Sequence, residues 1–180
     1  MSLESLLYDS SRRAIENAAI VIEGNPELFK DMLDLCSMPY PLAMRAARVI
    51  QIFCDKYPDA ILPYLNQLTD ELLKTKVDGV KRSFLKIMID KIDVKQIHNS
   101  GLVFNQCLDW LFTDKETIAV RAYSIDLLEK FTHQEPDLKN ELIIVLENVP
   151  FEDYPCLEKR RRKCLKSLSI SNVTRKRCRN

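Results

Sequence analysis

One five-residue word occurs twice with only apolar exchanges, as Leu42-Ala-Met-Arg-Ala46 and as Ile118-Ala-Val-Arg-Ala122. In both, an apolar residue follows four positions after the arginine, Val49 or Ile125, and another seven after it, Ile52 or Leu128. Lys81 heads a third copy with Leu85 and Met88 at the same offsets, and Arg161 a fourth with Leu165 and Leu168. Ser11 heads a degenerate first copy with Ile15 and Ala18. Successive starts lie 34, 36, 40 and 40 residues apart. Offsets of four and seven return to one face of a helix. A recurrence of roughly 34–47 residues, with two helices per unit, is the mark of a helical solenoid, in which no unit buries its apolar face alone.

The stretch Thr117 to Phe131 shows the unit most clearly. Ala122, Ile125, Leu128 and Phe131 are spaced by three, Val120 and Leu127 widen the stripe, and Asp126, Glu129 and Lys130 fall on the opposite side. Such a helix needs neighbours to cover it. Thr113-Asp114 is the expected cap at its start. Pro26-Glu27, Pro58-Asp59 and Pro136-Asp137 each place a proline and an acid where a helix opens, which suits the free N–H groups and positive dipole of a first turn. Pro63 then marks a first turn or a kink. Leu28, Met32 and Leu35 are the expected inner face of one short helix, and Val49, Ile52 and Phe53 that of the next.

The word Val120-Arg121-Ala122, with Asp114 ahead of it, resembles the opening of the second helix in the HEAT repeat family. Ile61-Leu-Pro-Tyr-Leu-Asn-Gln-Leu68 resembles that family's first helix, interior proline included. The resemblance spans most of residues 10–170. It implies an all-α fold, a right-handed α-α superhelix of about four helix pairs plus an N-terminal half unit, used to hold other macromolecules. The expected organisation is one repeat domain over residues 1–169 and a basic tail, frayed or disordered, over 170–180.

Three glycines in 180 residues argue against a sheet protein rich in tight turns. They also leave no glycine-rich phosphate cradle. No apolar run approaches the roughly 20 residues that span a bilayer, and Met1 to Leu7 lacks the charged start and apolar centre of an export signal. Six cysteines without a pairing motif, three of them (Cys36, Cys54, Cys107) in apolar surroundings, fit reduced thiols in a cytoplasmic protein.

Catalytic and metal signatures are weak. His98 and His133 lie in different units without a ligand-spaced neighbour, and Cys156 and Cys164 stand two helical turns apart, so neither a metal nor a cofactor is expected. No nucleophile motif surrounds any Cys or Ser. The pairs Asp31/Asp34 and Asp90/Asp93 read as solvated faces. Arg45, Lys81, Arg121 and Arg161 recur once per unit, and they read as structural partners of a neighbouring acid or helix-end carbonyl.

Charge is the one strong chemical signal. From Glu158 to the C-terminus ten Lys/Arg face a single acid, a net of +9, whereas the preceding residues sum to −8. Arg160, Arg161, Arg162, Lys163 and Lys166 are the candidate contacts to an acidic partner or to phosphates. The leading expectation is a non-enzymatic scaffold that holds a protein partner. Nucleic-acid binding through the basic C-terminal helix and tail is the alternative. A third reading is a HEAT-like DNA repair glycosylase, for which Trp110 beside Asp109 is the only hint; core packing suits that Trp better.

Overall fold

Amphipathic stripes separated by proline and polar joints leave the chain one economical solution, which is helix against helix. The computed structural model describes residues 3–151 and 153–177, the side chains of 170–177 excepted. Among the described residues there are ten α-helices and no strand. The chain divides into two compact units, Met1–Ser100 and Gly101–Asn180.

In the first unit, α1 (Leu3–Leu6), α3 (Leu28–Asp34) and α5 (Leu65–Lys74) alternate with α2 (Arg12–Gly24), α4 (Leu42–Lys56) and α6 (Asp78–Lys91). The longer helices α2, α4 and α6 pack side by side, and α1, α3 and α5 lean on α2, α4 and α6 respectively. Ser11 caps α2, its Oγ accepting from the Ala14 N–H at 3.2 Å. Ala43, Ala46 and Ala47 are fully buried in α4, and their small side chains let neighbouring helices approach. Gly79 marks the tightest approach: a Cβ there would stand 2.1 Å from Met44 Cγ. Phe29, Phe53, Tyr57 and Tyr64 form a chain of tilted ring contacts with centroids 5.0–5.5 Å apart.

The inner faces shift slightly from their sequence expectation. In α3 the buried residues are Phe29, Met32 and Leu33, while Leu28, and Leu35 in the 3-10 turn just past the helix, are half-buried. In α4 Val49, Ile50 and Phe53 are buried and Ile52 is only half-buried. The cause is the same in both: these helices have neighbours on more than one side, so the covered arc is broader and rotated relative to a single stripe. Pro63 falls inside a 3-10 run, Pro58–Tyr64, that leads into α5; proline has no N–H to give the helical ladder, and the tighter turn takes up the loss.

The second unit contains α8 (Ile118–Gln134), α9 (Lys139–Asn148) and α10 (Pro155–Arg177), preceded by α7, which runs Ser100–Phe112. α8 packs against α10, and α9 against both. Phe104 of α7 meets Phe131 of α8 edge-on at 5.6 Å. The expected break at Asn99-Ser-Gly101 is carried by Asn99 alone, at φ 52°, a left-handed conformation that asparagine tolerates better than most residues. Thr113-Asp114 does not cap α8. Thr113 Oγ accepts from the Lys115 N–H in a turn, and Thr117 occupies the extended position before the helix. Within α8, Ala122 is half-buried, and Arg121 and Ser124 are buried instead. The backbone of residues 170–177 continues α10. The rest of the expected 170–180 tail, its side chains and residues 178–180, lies outside the described residues.

Two stability tests follow from this packing. Ile50→Ala should cost about 2–5 kcal/mol, the usual loss for a fully buried aliphatic chain, whereas Ile52→Ala should cost roughly 1 kcal/mol or less because it is already half in water; urea denaturation measures both. Gly79→Ala should destabilise the parent chain and cost less in a Met44→Ala background, where the 2.1 Å approach to Cγ is removed, the 2.8 Å approach to the retained Cβ stays, and alanine's helix preference of about 1 kcal/mol over glycine partly offsets it.

Candidate interaction surfaces

The last carbonyls of a helix have no intrahelical partner. The repeat supplies one from the following helix pair or from its own second helix. Arg45 donates from Nη1 to the carbonyls of Leu7 and Tyr8, at 2.8 and 3.1 Å, and from Nε to Ser10 Oγ at 3.0 Å. Arg121 donates from Nη2 to the Leu111 carbonyl at 3.0 Å. Arg161 donates to the Val149 carbonyl at 3.2 Å and to that of Leu146 at 3.4 Å. Lys81 is buried in the corresponding copy. The structural reading of these recurrent cations therefore holds for all three arginines.

Arg121 is the most enclosed of them, 2 % exposed, with its guanidinium over the rings of Phe151 and Tyr154 at 5.0 Å from each centroid. Its Nε has no hydrogen-bond partner among the described residues. Asp114 approaches Nη1 only to 3.7 Å and is 87 % exposed, so a carbonyl and two aromatic faces hold this cation more than the acid does. Sequence reading missed both rings, because they lie 30 and 33 residues downstream with no pattern linking them to Arg121.

The basic block on α10 is partly used up inside the molecule. Arg160 pairs with Asp126 of α8 and also reaches the Ala122 carbonyl at 3.3 Å. Burial lifts the Asp126 carboxyl above the usual range, and Arg160 only partly offsets it. Arg161 and Arg162 both pair with Glu158 at 2.6 Å. Burial raises the Glu158 carboxyl, but hydrogen bonds from Arg162 and Arg161 outweigh that and leave it below its ordinary range. Lys163 and Lys166 are exposed. Asp126, Cys156, Lys159, Arg160 and Lys163 line an open pocket of about 520 Å³. Lys159 escaped the sequence reading, although its i, i+4 spacing to Lys163 places the two on one face.

The remaining chemical candidates do not converge. Trp110 is buried while the adjacent Asp109 is exposed. Asp34 pairs with Lys30 at 2.7 Å, and Asp90 with Lys86 at 2.6 Å. His98 and His133 are both exposed. No group of three or more His, Cys, Asp or Glu among the described residues has metal-binding geometry. Cys36, Cys54, Cys107 and Cys164 are buried free thiols and Cys156 is exposed. Burial pushes Cys54 and Cys107 up to about 12 and raises Cys36 and Cys164 as well.

With the helix pairs and their recurrent corner arginines in place, comparison with known families is decisive: the HEAT repeat domain model matches residues 3–168. The chain belongs to the HEAT repeat family. No curated protein and no solved structure matches it. In this HEAT chain Asp114 stands 3.7 Å from Arg121, whose main partner is the helix-end carbonyl of Leu111. No helix among the described residues is long and apolar enough to cross a membrane.

Arg121→Ala should be the costliest of the corner substitutions. It strips the Leu111 carbonyl of a buried partner, worth about 1–3 kcal/mol, and also removes the stacking on Phe151 and Tyr154. Arg45→Ala, at a half-exposed site, should lose about 1 kcal/mol. Chemical denaturation ranks the two. A thiol-reactive probe at pH 8 with mass mapping should label Cys156 promptly and leave Cys36, Cys54, Cys107 and Cys164 protected until the chain unfolds, since their thiolates are scarce and covered.

Proposed function

We propose that this HEAT repeat chain is a non-enzymatic interaction module that holds a protein partner on its helical-repeat surface, in a reducing compartment such as the cytoplasm. The observation that carries this reading is where the repeat spends its chemistry. The arginines that recur with the period, Arg45, Arg121 and Arg161, bond helix-end carbonyls, so what each of these units turns outward is surface rather than a reacting group. Buried free thiols support the compartment. A glycosylase reading asks for a Trp and an Asp in one open groove, and Trp110 is in the core while Asp109 faces water. Residues 1–169 serve in this reading as one repeat array.

A second reading, phosphate binding by α10, draws on Lys159, Lys163 and Lys166, which are exposed along that helix. It is weakened because Arg160, Arg161 and Arg162 already answer to Asp126 and Glu158.

The test is recovery of complexes on the intact chain with and without nuclease. A protein retained in fixed ratio after nuclease treatment supports the module. Loss of all retained material on nuclease treatment, together with duplex affinity that falls steeply with salt, would favour the phosphate reading. Turnover of a substrate abolished by one exposed side-chain change would overturn both.

A further inference from the structure

The first unit separates its charges by helix. On α2, α4 and α6 there are nine Lys/Arg against five Asp/Glu, while the rest of residues 1–100 carries four against nine. This separation is invisible in the unit's net charge, which is close to zero. Among the nine, Arg13, Arg48 and Arg82 stand apart. They follow one another at 35 and 34 residues, one on each of three successive packed helices, and all three are exposed. None of them has an ion-pair or hydrogen-bond partner among the described residues. Their neighbours differ: Arg12 pairs with Glu16, Lys56 with Glu23, Lys86 with Asp90 and Lys91 with Asp55. The repeat thus displays one unspent guanidinium per helix and neutralises the charges around it.

On the same helix faces, two turns beyond Arg13 and one turn beyond Arg48, lies an apolar feature. Between α2 and α4 a shallow groove of about 520 Å³ is floored by Ala19, Ile20 and Ile52 and edged by the Lys56–Glu23 pair and by Glu16 and Asp55, whose carboxylates pair with Arg12 and Lys91. Ile20 is 60 % exposed. This is also why Ile52 is half in water: it belongs to the groove and not to the core.

We propose, resting on the module reading above, that the exposed face of α2, α4 and α6 binds an extended, acidic, amphipathic segment of a partner protein. Its carboxylates meet Arg13, Arg48 and Arg82, and an aliphatic side chain of the same segment enters the groove at Ile20 and Ile52. Spacing favours an extended chain. Packed helices stand roughly 8–10 Å apart, and a polyproline II strand returns to the same face every third residue, after about 9 Å. An acid at every third position therefore meets successive helices in register. Guanidinium groups suit carboxylates in a forked geometry.

Nucleic acid fits this face less well. A duplex would offer phosphates to Arg13, Arg48 and Arg82, but its backbone has no aliphatic group to fill the groove at Ile20 and Ile52.

The probe is a fluorescein-labelled Glu-Leu-Pro repeat peptide, followed by anisotropy on the full chain, with the matching Lys-Leu-Pro peptide and a duplex DNA alongside. The acidic peptide should bind, and binding should weaken with salt. The triple variant Arg13→Glu, Arg48→Glu, Arg82→Glu should lose at least about tenfold in affinity, within what three surface ion pairs supply. Ile20→Asp should also weaken binding, while Lys159→Glu with Lys163→Glu should leave it unchanged. Each variant's thermal unfolding should match the parent's, because all these positions are exposed or half-exposed. Equal binding by the triple variant, or tighter binding of the duplex to this same face, would overturn the proposal. A nuclease-resistant partner that the triple variant retains as well as the parent would sink this surface and leave the interaction module standing.

Discussion

Every α-helix ends in carbonyls that its own ladder cannot satisfy, and a stack of short helices multiplies that debt at each corner. In this chain an arginine near the start of a long helix reaches back to such a corner: Arg45 to Leu7 and Tyr8, Arg121 to Leu111, Arg161 to Val149. Each contact joins a charged donor to a main-chain acceptor, which is stronger than a neutral hydrogen bond. It also ties two helices at a fixed height, so the apolar stripes meet in register. The alanines of α4 and the single glycine of α6 then allow the close approach that the corner sets up.

The corners also explain what the molecule presents. Once the periodic cations are committed inward, the outer faces differ by what is left over. On α10 Arg160, Arg161 and Arg162 are drawn to Asp126 and Glu158. On α2, α4 and α6 the leftover is a row of guanidinium groups and a shallow aliphatic groove. A scaffold of this kind recognises by the spacing of its helices, and its specificity resides in the few side chains that the packing does not consume.

Much of this was legible before any coordinates. The Arg121 word and its copies at Arg45, Lys81 and Arg161 announce the helix pairing, and at the three arginines also the structural duty of the cation, because a residue required at a corner repeats with the corners. Buried Cys36, Cys54 and Cys107 were readable from their apolar neighbours. The misreadings have a common origin. Ile52, Leu28 and Leu35 were assigned to the core because periodicity finds the apolar arc and not its centre, and a helix with several neighbours rotates that centre. Phe151 and Tyr154 could not be foreseen, since a cation held between rings leaves no local spacing to read. The α10 block looked available for ligands because composition counts charges and cannot tell which are already paired.

The central claim is that the recurrent arginines are fixed to helix-end carbonyls while the intervening exposed ones are not. Side-chain nitrogen NMR on the arginine-labelled chain addresses it most directly, through rotation about the Nε–Cζ bond. Slow rotation, with separate Nη signals, is predicted for Arg45, Arg121 and Arg161, and averaged signals for Arg13, Arg48 and Arg82. Freely averaged signals from Arg121 and Arg45 would contradict the account, because corners held that loosely could not set the register of the stack.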